Sequence, residues 1–153
     1  MAVQVKPVPD NYPTLNPYLI VRDGAAAIGF YQRVFGARER MRMPAPQGKI
    51  GHAELEMGNS LIMLADEAPQ HDAFAPDPAR RGGVSLHIYV PDVDAVVRKA
   101  EQEGAQVIAA VETRFYGDRL GTIRDPFGHV WHVSTHVEDV SPEEIGRRAA
   151  AMG

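Results

Sequence analysis

Hydrophobic and polar positions change their spacing along the chain in a fixed order that occurs twice. The first copy begins with residues 15–21, a run of β-branched and aromatic residues that predicts a strand. Apolar residues then recur at helical spacing over residues 25–35, and Gly36 follows where a helix often ends in a left-handed residue. This part of the chain is therefore predicted to form a strand and a short amphipathic helix.

Three further strands complete the first copy, over residues 38–43, 52–57 and 60–65. The middle strand alternates strictly, so that His52, Glu54 and Glu56 lie on one face and Ala53, Leu55 and Met57 on the other. The polar face has two interpretations. His52 with Glu54 can form a general-base pair, or the whole face can be solvated.

The same order resumes after residues 67–83, which contain Pro and Gly without a sustained period and predict a linker. Strands are predicted at 84–90, 107–111, 115–124 and 129–136, and Asp92 is placed to cap a helix over 93–103. Matched positions lie 68 to 70 residues apart: Asn16 with Ser85, Asp23 with Asp92, Gly36 with Gly104, and Gly58 with Gly128. The chain is therefore predicted to be a duplication.

These elements predict an α+β fold of two tandem βαβββ modules, residues 14–66 and 84–136, whose curved sheet surrounds a small-molecule cleft. Residues 1–153 are expected to form a single domain. The tail, residues 137–153, contains Ser141, Pro142 and Glu144 in the order typical of a helix N-terminus, and a short C-terminal helix is predicted there.

Composition narrows the classes of function. The 153 residues are 44% hydrophobic and 24% charged, with no apolar run near the roughly 20 residues that cross a membrane. There is no secretory pattern and no Cys, so we expect a cytoplasmic protein without membrane partners. A net charge of −4 with scattered Lys and Arg argues against nucleic acid as a partner. Motifs for dinucleotides, P-loops, zincins and serine hydrolases are also absent.

Two segments resemble the vicinal oxygen chelate superfamily, which includes glyoxalase I, extradiol dioxygenases and bleomycin-resistance proteins. They are GAAAIGFYQRVFGA at 24–37 and RDPFGHVWHVSTH at 124–136. Residues 50–67, 115–131 and 135–144 are similar to its PhnB-like branch. The likeness extends over residues 5–148 and implies the two-module fold and a homodimer.

The resemblance also implies where metal ligands would lie, on the first and fourth strands of each module. Those positions hold Asn16, Met63, Ser85 and His132, with Ile62 replacing Met63 if the strand register slips by one residue. Of these only His132 is a usable donor for a divalent metal. No cofactor is therefore expected. A divalent metal held by His87 and His132, with His52 or Glu54, is the alternative.

The preferred function is binding of a small aromatic or amphipathic molecule without a bound metal. A metal-dependent or His-based lyase or isomerase of the glyoxalase type is the alternative, so whether the protein is an enzyme stays open. His132 and His87 are the candidate catalytic or anchoring residues. The candidate ligand contacts are Asn16, Tyr18, His52, Met63, Ser85, Phe115, Tyr116 and Arg119.

Two further features of the second module are assigned structural roles. Asp125-Pro126-Phe127-Gly128 suits a reverse turn before the last strand. If His132 faces the cleft, alternation places Trp131 on the helix side, in the core.

Overall fold

In the computed structural model, which describes residues 4–153, the order strand, helix and three strands occurs twice. The chain divides into two compact units, one ending at Ala75 and the other running from Pro76 to Gly153. Each unit has one four-stranded mixed sheet. The predicted α+β fold of two βαβββ modules is confirmed.

The first unit contains one helix and four strands. They are β1 (Tyr18–Val21), α1 (Gly24–Phe35), β2 (Arg38–Pro44), β3 (Ile50–Met57) and β4 (Ser60–Asp66). The sheet order is β1-β4-β3-β2, with β1 parallel to β4 and the other pairs antiparallel. Single 3-10 turns at Pro46–Gly48 and Pro69–His71 lie between elements.

The second unit repeats this arrangement and adds a terminal helix. Its elements are β5 (Ser85–Tyr89), α2 (Val93–Gln102), β6 (Gln106–Thr113), β7 (Asp118–Arg124), β8 (Val130–His136) and α3 (Pro142–Met152). The sheet order is β5-β8-β7-β6, again with one parallel pair, β5 with β8. Ser141 Oγ accepts a hydrogen bond from the Glu144 amide at 3.2 Å, so the predicted cap of α3 is confirmed.

Two strands begin three residues later than predicted. β1 starts at Tyr18 instead of residue 15, directly after Pro17, which has no amide hydrogen to donate to the sheet. β7 starts at Asp118 instead of residue 115, because the chain turns at 114–117, where the Gly117 amide donates to the Arg114 carbonyl. Gly117 has φ +100°, and a Cβ there would lie 2.1 Å from the Glu138 carbonyl oxygen, so only glycine fits this turn.

Each sheet has a helix side, covered by the helix of its own unit, and an open side. In the first unit α1 packs its apolar face on the sheet, and the residues buried between them include Leu19, Val21, Ala53, Leu55 and Leu64. Alternation places Tyr18, His52, Glu54 and Met63 on the open side. In the second unit Trp131 is 2% exposed on the helix side, as predicted, and His132 lies on the open side.

Both helices begin in the same way. Asp23 and Asp92 cap α1 and α2, each accepting a hydrogen bond from the amide three residues later at 3.1 Å. The first helical amide bonds to the sheet: Gly24 N donates to Asp66 Oδ1 at 2.8 Å, and Val93 N donates to Thr135 Oγ1 at 2.8 Å. Asp66 and Thr135 lie at matched positions, 69 residues apart, on the fourth strand of each unit. The C-terminal end of that strand therefore fixes where each helix starts.

Replacing Asp66 with Asn should lower the free energy of unfolding by about 1–3 kcal/mol. Asp66 is 6% exposed and its second oxygen accepts from Ile50 N at 2.7 Å, so both oxygens are used. An Asn side chain would present an NH2 group to one of two buried amides. Urea denaturation measures the change, and Asp10→Asn, at an exposed surface ion pair with Lys6, serves as the control with a much smaller expected effect. Equal losses in both variants would contradict the anchoring role.

Candidate functional site

The strand registers show which residues occupy equivalent positions on the open sides of the two units. In the first unit Tyr18 pairs with Met63, which pairs with Glu54. In the second unit His87 pairs with His132, which pairs with Thr122. Met63 and His132 therefore occupy equivalent places, and the position on the open side is Met63 and not Ile62.

A connected polar network crosses the open side of the first unit. Tyr12 Oη donates to Glu54 Oε1 at 2.8 Å, and Glu54 Oε2 lies 3.0 Å from His52 Nε2. His52 Nδ1 in turn lies 3.0 Å from Tyr18 Oη. Of the two interpretations of this face, the structure thus favours a linked His52 and Glu54 over separately solvated side chains. Glu56, on the same face, pairs with Arg38 instead.

Glu54 is 3% exposed, so its charge needs partners. Burial raises the pKa of Glu54, but hydrogen bonds from His52 and Tyr12, together with the positive charge of Arg40, lower it further, and the net pKa lies below its usual range. The hydrogen bond to Glu54 raises the pKa of Tyr12, because the phenol donates that bond only while it is protonated, and burial and the negative charge of Glu54 raise it further. Glu54 is therefore an ionised carboxylate at neutral pH.

Tyr12 and Arg40 were not among the residues predicted from sequence. Arg40 Cζ lies 4.4 Å from the centre of the Tyr12 ring, Arg40 Nη1 donates to the Asn11 carbonyl at 2.7 Å, and Arg40 Nε lies 3.9 Å from Glu54 Oε1. Tyr12 precedes the first strand in a Pro-containing segment without periodicity. Its contact with Glu54 joins residues 42 positions apart, which no local pattern reveals.

The open side of the second unit carries pairs of hydroxyl groups and imidazoles. His132 Nδ1 lies 3.0 Å from Thr122 Oγ1, and His132 Nε2 lies 3.1 Å from Ser85 Oγ. His87 Nε2 lies 2.9 Å from Ser134 Oγ. The predicted residues Ser85, His87 and His132 are thus brought together on one sheet face.

Asp118 forms a further cluster at the end of this face. Asp118 is 6% exposed and binds Tyr89 Oη at 2.9 Å and His136 Nδ1 at 2.8 Å. His136 Nε2 lies 2.7 Å from Asp139 Oδ1. Hydrogen bonds to Asp118 and then to Asp139 raise the pKa of His136.

Arg119 lies on the helix side, away from the other candidate ligand contacts. Its guanidinium binds both carboxylate oxygens of Asp94 on α2, at 2.7 and 2.9 Å, and also Thr113 Oγ1 at 3.1 Å. Arg119 does not pair with the adjacent Asp118, because neighbouring strand residues point to opposite sides. The guanidinium hydrogen bond lowers the pKa of Asp94.

Phe115 and Tyr116 lie in the turn before β7, with ring centres 5.2 Å apart and edge to face. The Phe115 carbonyl accepts from Arg148 Nη1 at 2.9 Å, and Arg148 also binds Glu138 and Glu144. Helix α3 therefore holds the backbone of this turn. Both rings are partly exposed, so contact with a ligand stays a prediction.

The turn at 125–128 has the structural role predicted for it. Asp125 Oδ1 accepts hydrogen bonds from the amides of Phe127 and His129, at 2.9 and 3.0 Å. Asp125 Oδ2 accepts from Trp131 Nε1 at 2.9 Å. The turn thus fixes the core tryptophan next to His132.

The four positions expected to ligate metal in this superfamily do not suit a divalent cation. Asn16 donates through Nδ2 to the Pro13 carbonyl at 2.7 Å, and its buried Oδ1 has no partner among residues 4–153. Met63 supplies a thioether, and Ser85 is bonded to His132. Within the described part of the chain, no three His, Asp or Glu side chains are grouped closely enough to hold a metal ion. An amide and a thioether in one unit, and a hydroxyl and an imidazole in the other, are poor donors for zinc, nickel, manganese or iron.

Membrane insertion by a helix is not indicated: over residues 4–153, no helix is long and apolar enough to span a bilayer.

Comparisons with known proteins agree with the fold. The model of the Glyoxalase/Bleomycin resistance protein/Dioxygenase superfamily matches residues 13–133. The uncharacterized protein Mb0911c of Mycobacterium bovis is 40% identical over 144 residues, covering 92% of this chain and 95% of that protein. Among solved structures, TioX from Micromonospora sp. ML1 superimposes with a TM-score of 0.63 at 25% identity, covering 82% of this chain and 99% of TioX. A PhnB protein from Bacillus cereus has the same fold, with a TM-score of 0.64 at 19% identity over 80% of this chain and 99% of its own.

The Asp118, His136 and Asp139 cluster predicts a pH-dependent contribution to stability. Because the folded-state pKa of His136 is raised, its stabilisation is fully present below the unfolded-state value of about 6.5 and is lost as the pH rises through the folded-state value. The difference in urea midpoint between the wild-type protein and His136→Gln should therefore be larger at about pH 5.5 than at about pH 9. The difference in urea midpoint between the wild-type protein and Asp139→Asn should change less with pH, since this variant removes only one of the two carboxylates that raise the pKa of His136. A difference that does not change with pH would contradict the prediction.

Proposed function

The chain belongs to the glyoxalase/bleomycin resistance protein/dioxygenase superfamily, and from that premise we propose that it binds a small aromatic or amphipathic molecule without a resident divalent metal. The observation that carries the proposal is the chemistry of the four superfamily ligand positions, Asn16, Met63, Ser85 and His132. The fold is that of a metal-chelating superfamily, but the side chains at these positions are better suited to contact an organic ligand than to bind a metal.

Apart from Asn16 Oδ1, the polar atoms at these positions already have hydrogen-bond partners within their own units. Asn16 Nδ2 bonds to a backbone carbonyl, and both ring nitrogens of His132 meet hydroxyl groups. A cation at His132 would have to displace the hydroxyl of Thr122 or Ser85 and would gain one imidazole nitrogen in return. This exchange supports the metal-free part of the proposal.

Methionine and tyrosine side chains supply the apolar contact area. On the open side of the first unit, Met41 and Met43 lie opposite Glu54 and His52 in β2 and are 39% and 51% exposed. Met63 lies across the same face, and Tyr18 is 48% exposed beside it. Flexible thioethers and flat rings adapt to aromatic ligands of different shape.

The open side of the second unit offers groups that orient a ligand. Hydroxyls and neutral imidazoles can each donate and accept a hydrogen bond, and they occur there as the pairs Ser85 with His132 and Ser134 with His87. Small-molecule sites typically combine apolar area with a few polar groups. These pairs are the proposed polar anchors, with His132 and His87 foremost.

Metal-independent acid–base chemistry is the second candidate function. It is favoured by one observation, the placement of His52 between the Glu54 carboxylate and the Tyr18 hydroxyl.

A homodimer and a cytoplasmic location complete the proposal. Light scattering on the purified protein tests the dimer, for which a monomer mass would be the contrary result.

Thermal unfolding with a panel of phenyl, naphthyl and indolyl carboxylic acids tests ligand binding. A compound present at 100 times its Kd should stabilise the native state by about 2.7 kcal/mol and raise the midpoint by several degrees. Met63→Lys should abolish this rise, because it places a charge in the apolar contact area. Met152→Lys, at a 70% exposed position on α3, is the matched control and should leave the rise unchanged. A rise that survives Met63→Lys, or no rise with any compound, would contradict the proposed site.

Metal analysis tests the other half of the proposal. The protein should be produced without a histidine tag and purified without chelator, and its metal content measured by mass spectrometry. We expect far less than one metal ion per chain. Stoichiometric nickel, zinc, manganese or iron would overturn the metal-free proposal, and loss of that metal in His132→Ala would identify the ligand.

A further inference from the structure

Three side chains of the first unit form a relay from the protein interior to its surface. We use the name tyrosine relay for Glu54, His52 and Tyr18. The side chains of Glu54 and His52 are 5% and 20% exposed, and Tyr18 as a residue is 48% exposed. The two hydrogen bonds that join them are both 3.0 Å long. A base between a carboxylate and a reactive hydroxyl is the general arrangement that activates a side chain for chemistry.

The direction of the hydrogen bonds follows from the charge of Glu54. An ionised carboxylate only accepts, so His52 Nε2 must donate to Glu54. When His52 is neutral, its Nδ1 is then an acceptor, and Tyr18 Oη donates its proton to it. The lone pairs of Tyr18 Oη then remain able to accept a proton from a ligand.

The geometry of the relay is fixed by the sheet. Tyr18 lies on β1 and His52 on β3, and the strand between them, β4, holds both in register. Their ring centres are 5.5 Å apart with an interplanar angle of 39°. Burial raises the pKa of Tyr18, so the phenol is protonated at neutral pH and its hydrogen is present to be donated to His52. The relay is thus assembled before any ligand arrives.

The other unit has no counterpart of this arrangement at the matched positions. Thr122 stands where Glu54 stands, so the imidazole of His132 is flanked by hydroxyl groups on both sides. Tyr89 donates directly to the Asp118 carboxylate, without an intervening imidazole. This direct contact raises the pKa of Tyr89. Tyr89 is therefore an internal control for Tyr18.

We propose that Tyr18 is a catalytic base that removes a weakly acidic proton from a bound small molecule, with His52 as its proton acceptor and Glu54 as a positioning residue. The ligand X–H bond breaks and X keeps the electron pair. The proton joins Tyr18 Oη, while the original phenol proton passes to His52 Nδ1. The products are the ligand anion and an imidazolium beside the Glu54 carboxylate, and the reverse transfers return the proton.

The chemistry of the relay defines the ligand class. A suitable ligand carries a proton on a carbon next to a carbonyl group, or on an enol or acidic hydroxyl, and it needs no metal to be deprotonated. This inference rests on the proposed function, because the proton donor must first bind on the open side of the first unit. It adds which atom of the protein meets the ligand's acidic proton.

Sulfonylation by benzenesulfonyl fluoride measures the activation of Tyr18 without the natural ligand. The Tyr18 Oη–S bond forms, fluoride leaves with the S–F electron pair, and the phenol proton passes to His52. Peptide mass spectrometry gives the rate at each tyrosine. Since general-base assistance contributes about 10²–10⁴-fold, we expect Tyr18 to react at least about tenfold faster than Tyr89, although Tyr89 is more exposed, 61% against 48%.

Matched variants separate the relay from simple exposure. Glu54→Gln and His52→Gln should each lower the Tyr18 rate at least about tenfold. Glu56→Gln, on the same face of β3 but paired with Arg38, should leave it unchanged. Equal rates at Tyr18 and Tyr89, or equal effects of Glu54→Gln and Glu56→Gln, would overturn the inference.

Nitrogen-15 spectra of the unmodified protein provide a measurement that does not depend on a variant that folds. They should show the neutral His52 with its proton on Nε2, and a proton on Nδ1 would contradict the relay.

The sulfonylation and nitrogen-15 tests are independent of the thermal-unfolding panel of carboxylic acids. Unreactive Tyr18 in a protein that binds the carboxylic acids would overturn the base role alone, whereas reactive Tyr18 without binding would overturn the proposed function alone.

Discussion

A hydrogen bond between a side chain at the C-terminal end of the fourth strand and the first amide of the helix determines the arrangement of each unit. In one unit Asp66 holds Gly24, and in the other Thr135 holds Val93. The bond fixes each helix on one side of its sheet, where the apolar half of the alternating strands is buried. The polar half is thereby directed to the opposite side, so the chemistry of this protein is a consequence of how its helices are anchored.

The sequence predicts most of this arrangement, because its signals are local. Strict alternation over 52–57 assigns His52 and Glu54 to one face, and Asp92 is recognisable as a helix cap. The features that the sequence does not reveal are contacts between residues far apart in the chain and the pairing register of the strands. Tyr12 reaches Glu54 across 42 positions, and Arg119 lies on the helix side because the strand register pairs it with Thr135. In a strand, one residue of difference moves a side chain to the other face.

The two units show how one backbone carries two kinds of chemistry. At matched places one unit has Met63 and Glu54, and the other has His132 and Thr122. The first pair puts a carboxylate into an apolar surface, and the second puts an imidazole between hydroxyl groups. Duplication therefore explains the shared scaffold, while the ligand-facing residues have to be considered unit by unit.

The carboxylate of Glu54 is difficult to explain as a stabilising feature. It lies between Met41 and Met63 in the sheet, where an apolar side chain would pack without the cost of burying a charge. That cost is offset by Tyr12, Arg40 and His52, each of which is held in place in turn by the contact. A sheet that needed only a filled surface at this point would have no use for four polar side chains. The proposed relay, in which His52 is held between Glu54 and Tyr18, gives a physical reason for the network.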